Sequence, residues 1–117
     1  MRIMSEKEGL RVAKRIWVDP HKQLRNRKPV TGTVDTGGTK KALHTGAYIA
    51  LTVVVSNDSP NPVWYEIYDG DTKIVGRATL PANAVRPIAN AWLPFDHSVE
   101  VNSDATTTIF TFGGFTP

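Results

Sequence analysis

The residues that most often carry chemistry in proteins are few and widely spaced in this 117-residue chain. Its three histidines, His21, His44 and His97, stand far apart, whereas zinc-binding motifs place two histidines close together on one element. Cysteine is absent, which excludes disulfide scaffolds, thiolate metal sites and thiol catalysis. We therefore expect no metal and no cofactor.

Two segments resemble functional loops but lack the residues that such loops require, and the serines lack the setting of a nucleophile. Asp69-Gly70-Asp71 is not followed by the further oxygen ligands of a calcium loop, and a hairpin turn explains it. Gly37-Gly38-Thr39-Lys40 lacks the glycine spacing and the following helix of a phosphate loop. The serines occur in turn or cap contexts, with no Gly-x-Ser-x-Gly elbow. We find no catalytic constellation and expect a protein that is not an enzyme.

Beyond residue 46 the chain has the pattern of short β-strands. Residues 47–55 are rich in β-branched side chains and alternate with a period of two, which predicts a strand with one face made of Ile49, Leu51, Val53 and Val55. A strand from Val63 and a return strand over residues 73–80 flank Asp69-Gly70, a hairpin signal. Gly76 predicts either a bulge in the return strand or a close approach of another backbone.

The remaining turn signals complete an all-β pattern. Pro87 marks residues 85–88 as an edge strand, because proline cannot donate to a ladder. Further strands are expected at 98–101 and 106–112, and Trp92 and Phe95 are expected to fill one end of the core. The spacing predicts an antiparallel β-sandwich or jelly-roll-like barrel.

Charge divides the chain into two unlike parts. Residues 1–41 contain 11 basic and four acidic residues, a net charge of +7, whereas residues 42–117 contain three basic and seven acidic ones, a net charge of −4. We therefore predict a basic N-terminal arm over residues 1–45 and a sandwich body over 46–117. No apolar run is long enough to cross a bilayer, so we expect no membrane association.

Two conformations are open for the beginning of the arm. Ser5 and Glu8 fit a helical capping box, yet the apolar residues of 5–18 also alternate as in a strand. The segments 30–34 and 40–43 flank Asp35-Thr36-Gly37-Gly38 and predict a small hairpin.

The arm mixes basic and apolar side chains, which indicates a binding segment rather than a solvated tail. Nucleic acid is one conceivable partner, because clustered basic residues neutralise phosphates. An acidic protein surface is favoured, since apolar anchors suit a groove. The residues expected to bind are Leu10, Arg11, Lys14, Arg15, Ile16, Trp17, Arg25, Arg27 and Lys28.

Trp64 and Tyr68 share one face of the second predicted strand. They could form an exposed aromatic surface of the kind that holds sugar rings in carbohydrate-binding modules. The alternative is that this face is covered by the arm or by a neighbouring subunit, because aromatic side chains mostly serve cores and protein interfaces.

Several motifs of the body together resemble small virion proteins of tailed bacteriophages. They are a strand ending in Asn57-Asp58-Ser59, a strand ending in Tyr68-Asp69-Gly70, a return strand with Gly76, the Leu80-Pro81-Ala82-Asn83 turn, and a threonine-rich last strand that ends in Gly113-Gly114. The resemblance covers about residues 47–114.

The resemblance implies a non-enzymatic β-sandwich that decorates or cements a capsid in the virion. Its partners would be the major capsid protein or other virion proteins, with self-association expected. The arm would then extend onto neighbouring subunits. A head–tail junction or tail accessory protein is an alternative, and a carbohydrate- or receptor-binding module is a further one.

Overall fold

The computed structural model describes residues 26–89 and 92–117, which form two antiparallel sheets packed as a β-sandwich. The all-β prediction is confirmed. The strands of the described residues are β1 (Val30–Gly32), β2 (Lys41–Thr45), β3 (Tyr48–Asn57), β4 (Val63–Asp69), β5 (Thr72–Leu80), β6 (Val85–Ala89), β7 (Leu93–Phe95), β8 (Ser98–Ser103) and β9 (Thr108–Phe115).

Each sheet contains a row of four hydrogen-bonded strands, and the order of the strands along the row differs between the two sheets. Sheet A runs β1-β9-β3-β6, with β7 also paired to β3, and sheet B runs β2-β8-β4-β5. Most neighbours in these orders are distant in sequence, so the fold depends on long-range pairing. The connection of β4 to β5 is a tight hairpin, as predicted, with Gly70 at a φ of 58°.

The core lies between the sheets and is built from aromatic and β-branched side chains. Phe112 packs edge-on against Phe95, and Phe110 packs edge-on against Tyr65 across the two layers. Edge-to-face contact is the favoured arrangement of aromatic rings in a packed interior. The Phe95 prediction is confirmed, because this side chain is 1% exposed. Trp92 is 37% exposed and packs instead on Phe115, so its placement in the core was wrong.

The face assignment predicted for β3 is only half correct, because a bulge reverses the alternation. The pairing of β3 with β9 shifts register between Ala50 and Thr52, opposite Gly113 and Gly114. A β-carbon on Gly114 would overlap the carbonyl oxygen of Ile49, so only glycine allows this approach. Val53 and Val55 share the face that points into the core, but before the bulge the inward residues are Tyr48 and Ala50, so Ile49 is not on the same face as Val53 and Val55.

The small hairpin predicted over residues 30–43 is wrong. Strand β1 pairs with β9 in sheet A, with Val30 opposite Phe112, whereas β2 pairs with β8 in sheet B, with Lys41 opposite Val101. The two segments therefore belong to different layers, and among the described residues the first strand of the sandwich begins at Val30. Local turn residues could not reveal partners that lie about sixty to eighty residues away in sequence. The predicted edge strand with Pro87 is confirmed as β6.

Candidate functional site

Trp64 and Tyr68 share one face of β4, as predicted, and that face is the outer face of sheet B. Their neighbours Val63, Tyr65 and Ile67 point into the core. The register of β4 with β5 and β8 adds basic and acidic side chains around the two aromatic rings. We call this group the charged aromatic face, and it consists of Lys40, Trp64, Glu66, Tyr68, Lys73, Arg77 and Glu100.

Glu66 is the buried centre of the charged aromatic face. Its side chain is only 3% exposed, although it carries a charge. The carboxylate accepts from Lys73 Nζ at 2.8 Å and from the Tyr68 hydroxyl at 3.1 Å, and Arg77 Nε lies 3.7 Å away. The hydrogen bond from Lys73 lowers the pKa of Glu66, and it prevails over burial, which acts in the opposite direction. Glu66 is therefore ionised at neutral pH.

Lys40 connects the charged aromatic face to the β4–β5 turn. Its ammonium donates to the Gly70 carbonyl at 2.8 Å and to Asp71 at 3.2 Å, and it lies 3.4 Å from Glu100. Burial acts to lower the pKa of Lys40, but the hydrogen bonds and charges of Asp71 and Glu100 raise it. The same ammonium lies 4.8 Å from the centre of the Tyr68 ring, within the range of a cation–π contact.

Arg77 covers Trp64. The central carbon of its guanidinium is 3.7 Å from the centre of the indole ring, which is a close cation–π stack. A sugar ring binds tryptophan by lying on the same kind of ring face. The Trp64 surface is therefore already occupied by a side chain of the same chain, and a ligand would have to displace Arg77 to stack there.

The basic segment joins the sandwich at residues 26–28, which we call the arm root. The Thr116 amide donates to the Asn26 carbonyl at 3.0 Å, and the Asn26 side-chain amide donates back to the Thr116 carbonyl at 3.0 Å. The Lys28 amide donates to the Gly114 carbonyl at 2.9 Å. The arm root thus extends the pairing of β1 along β9, while the side chains of Arg27 and Lys28 stay exposed.

A core tyrosine fixes the arm root from the other side. The hydroxyl of Tyr48 donates to the Lys28 carbonyl at 2.5 Å and contacts the Phe112 carbonyl at 3.4 Å. Burial raises the pKa of Tyr48 to about 12, so the hydroxyl keeps its proton and remains a donor over the physiological range. The position at which the basic segment leaves the sandwich is therefore set by four hydrogen bonds to the arm root.

The structure describes only part of the predicted binding arm. Arg27 and Lys28 belong to the arm root, which pairs with β9 of sheet A. The charged aromatic face is on the other sheet, sheet B. The other predicted binding residues lie outside the described residues, as does the predicted capping box; they are Leu10, Arg11, Lys14, Arg15, Ile16, Trp17 and Arg25.

Sequence reasoning missed the charges that surround Trp64 and Tyr68. One signal was present: counting back through the Gly70 hairpin places Lys73 opposite Tyr68, and the structure has this pair. Arg77 could not be placed in the same way, because the bulge near Gly76 shifts the register. Lys40 directly precedes β2, which reaches sheet B by pairing with β8. No local pattern predicts this long-range pairing, so the position of Lys40 could not be predicted either.

Metal-ligand clusters are not found within residues 26–89 and 92–117, where three or more His, Asp or Glu side chains nowhere converge. His44 packs against the Tyr48 ring, with 5.4 Å between centroids, and His97 lies against Gly70. Asp69 accepts hydrogen bonds from the amides of Asp96, His97 and Ser98, so its carboxylate holds a turn. In the same part of the chain, no helix has the length and apolar character needed to span a membrane.

Comparison with known proteins gives no relative from which a function could be carried over. The chain matches no protein-family model, no curated protein and no solved structure.

Proposed function

We propose that this protein is a non-enzymatic structural component of a bacteriophage virion that decorates or cements the capsid. In this proposal the sandwich is a rigid body, and the basic N-terminal arm binds acidic and apolar surface on neighbouring capsid subunits. The resemblance of residues 47–114 to small virion proteins suggests the setting. The arm root is the single observation that supports the mode of attachment.

The arm root supports attachment because it joins a basic segment to the body at a fixed point. Backbone hydrogen bonds to Gly114 and Thr116, together with the Tyr48 hydroxyl, hold residues 26–28. Arg27 and Lys28 nevertheless keep their charged ends exposed to a partner. The 25 residues that precede the root would span at most about 90 Å if fully extended, which is enough to reach a neighbouring subunit.

Deletion of residues 1–25 tests the proposal. The cut leaves the arm root in place, so the sandwich of the variant is expected to fold and to keep a cooperative thermal unfolding transition. It is expected to lose binding to purified capsids of the phage that encodes it, measured by co-sedimentation. Replacement of Arg11, Lys14 and Arg15 by glutamate is the matched variant, because it keeps chain length while reversing charge. Full occupancy by either variant would contradict the arm as the binding element.

Copy number separates the two virion positions that the proposal leaves open. Quantitative mass spectrometry of purified virions is expected to find this chain in numbers comparable to the major capsid protein. A few copies per particle would instead place it at the head–tail junction or the tail. Absence from the virion would refute a structural role in the particle.

A further inference from the structure

Arg77 of β5 is held in place without using the hydrogen-bond donors of its guanidinium. The central carbon of this group lies 3.7 Å from the centre of the Trp64 ring. Its Nε lies 3.7 Å from the Glu66 carboxylate, which is an ion pair but too long for a hydrogen bond. Among the described residues, Arg77 has no hydrogen-bond acceptor. The ring and the ion pair therefore orient the guanidinium while its N–H groups stay available.

The accessible atoms around Arg77 are basic. The side chains of Arg77 and Lys73 are 58% and 47% exposed, whereas Glu66, which both of them contact, is only 3% exposed. One acid shared by two basic groups leaves a net charge of +1 at this place. A partner would meet the two cations and the indole edge, and not the buried carboxylate. We call Trp64, Lys73 and Arg77 the basic aromatic patch.

Two nearby basic side chains differ from Arg77, because acceptors within the chain already bind them. Lys40 is 28% exposed and contacts the Gly70 carbonyl, Asp71 and Glu100. Arg86 of β6 donates to the Thr79 carbonyl at 2.9 Å. Exposure and unused donors are therefore combined at Arg77, and not at either of these neighbours.

A guanidinium stacked on an indole ring is well prepared to bind a carboxylate. The planar fork of arginine matches the two oxygens of a carboxylate, and stacking leaves the edge of the fork accessible. Because Trp64 and Glu66 already orient the Arg77 side chain, little conformational entropy is lost when a partner binds. Tryptophan and arginine are also enriched among the residues that contribute most to protein interfaces.

We infer that the basic aromatic patch is a docking site for an acidic segment of a partner protein, in which Arg77 binds an aspartate or glutamate carboxylate. Charge selects this occupant. The arm of this chain is not complementary, because residues 1–25 contain seven basic and three acidic residues, a net charge of +4. The same face of a second copy would bring Arg77 against Arg77, which like charges oppose. The patch lies on sheet B and the arm root on sheet A, so this contact does not depend on the attachment proposed for the arm.

Titration of the full chain with a hexaglutamate peptide, followed by NMR of the indole N–H groups, tests the inference. The Trp64 signal is expected to shift progressively over about 0.1–10 mM peptide, a range suited to a contact between a few charged groups. The Trp92 signal reports on the packing against Phe115 and is expected to stay unchanged. Reading the titration at Trp64 separates this site from any binding of the peptide by the basic arm.

Arg77→Lys keeps the charge but removes the planar fork, and it is expected to weaken binding at Trp64 by about fivefold or more. Arg86→Lys is the matched control, because it makes the same change in a guanidinium that is bound to the Thr79 carbonyl. This control is expected to bind the peptide as the unmodified chain does. A Trp64 signal that does not move, or equal affinities for Arg77→Lys and the unmodified chain, would overturn the inference.

Two further measurements at Trp64 identify a different occupant. A shift by an oligouridylate at lower concentration than by hexaglutamate would indicate the phosphates of a nucleic acid. A shift that follows protein concentration alone would indicate a second copy of the chain. Either result would overturn an acidic protein segment as the occupant. These titrations use the isolated chain, so their outcome is separate from the result of the capsid-binding experiment.

Discussion

The hydroxyl of Tyr48 lies 2.5 Å from the carbonyl oxygen of Lys28, so a side chain rooted in the core fixes the point at which the basic segment leaves the sandwich. Tyr48 is completely buried, and the segment that it holds belongs to the part of the chain with a net charge of +7. Core packing and arm attachment therefore share one residue.

Tyr48→Phe is expected to destabilise the protein by about 1–2 kcal/mol at neutral pH, because the Lys28 carbonyl loses its donor in a part-buried site. The free energy of unfolding in urea measures this. Limited trypsin digestion is also expected to cut faster after Arg27, whereas the bond after Lys28 resists trypsin because Pro29 follows it. Thr79→Ser, on the exposed edge strand, is the control for a small polar change and is expected to alter neither quantity.

Alkaline pH provides a separate test of the same residue. The folded pKa of Tyr48 is raised to about 12 from an ordinary value of 10.0. Its contribution to stability is therefore complete below pH 10 and is lost as pH rises towards 12, because only the unfolded state then releases the proton. The loss is expected to reach about 2–3 kcal/mol in the unmodified chain and to be missing from Tyr48→Phe. If the free energy of unfolding fell equally steeply with rising pH in the unmodified chain and in Tyr48→Phe, this account would be contradicted.

Glu66→Gln is expected to cost about 2 kcal/mol, because Lys73 loses a charged hydrogen-bond partner that is almost fully buried. The pKa of Glu66 is lowered in the folded state, so its contribution is present above the ordinary value of 4.5 and is lost as pH falls through the folded pKa. Urea unfolding at neutral and acid pH measures this effect. The free energy of unfolding is expected to fall less on acidification for Glu66→Gln than for the unmodified chain.

Asp71→Asn is the control for a carboxylate on the same sheet. Its side chain is fully exposed and shares Lys40 with Glu100, so its replacement is expected to change stability by a few tenths of a kcal/mol at most. Equal losses in the free energy of unfolding for Asp71→Asn and Glu66→Gln would show that the burial of Glu66 does not strengthen its contribution to stability.

Gly114→Ala and Gly76→Ala separate a glycine that the fold requires from one that it tolerates. A β-carbon at Gly114 would overlap the Ile49 carbonyl, and we expect a loss of about 2–4 kcal/mol as the bulge is forced open. At Gly76 no atom lies within 4 Å of the new carbon, and alanine is expected to be neutral or to stabilise by up to about 1 kcal/mol. Thermal unfolding of the two variants tests this difference. Similar midpoints for Gly114→Ala and Gly76→Ala would contradict the requirement for glycine at position 114.

The sequence predicts this fold best where the pattern is local. Strand β4 and the Gly70 turn follow from alternation and turn chemistry, and both are confirmed. The inward face of β3 could not be predicted, because the bulge opposite Gly113 arises from a strand about sixty residues later. Alternation placed Trp64 and Tyr68 on one face of β4, but it could not predict the cover of Trp64 by Arg77, because Arg77 lies beyond the register shift between β4 and β5.

The cover of Trp64 leads to an expectation about sugars. Because Arg77 occupies the ring face, we expect no glycan on an array to bind the unmodified chain through Trp64. Arg77→Ala exposes the indole and reveals whether the residue itself is able to hold a sugar. Binding by the unmodified chain that is lost in Trp64→Ala would instead support the carbohydrate-binding alternative.

Asn57→Asp is expected to be the most destabilising of these substitutions, because it reverses the polarity of a buried contact. The side-chain amide of Asn57 faces the carbonyls of Asn61 at 2.8 Å, Pro81 at 3.0 Å and Leu80 at 3.4 Å, and so joins two turns at one end of the sandwich. A carboxylate there would set negative charge against three carbonyl oxygens, at a cost of about 3 kcal/mol or more at neutral pH.

The dependence on pH distinguishes this mechanism from a simple loss of packing. Repulsion and burial would raise the pKa of the new carboxyl, so the folded state of Asn57→Asp gains stability as pH falls and the group takes up a proton that it can donate. The unmodified chain is expected to change in the opposite sense over the same interval, because Glu66 loses its ion pairs in acid. Urea midpoints measured between neutral and acid pH are therefore expected to converge for the two proteins. Midpoints that fall in parallel would mean that the Asn57 amide does not hold the turns through its hydrogen bonds.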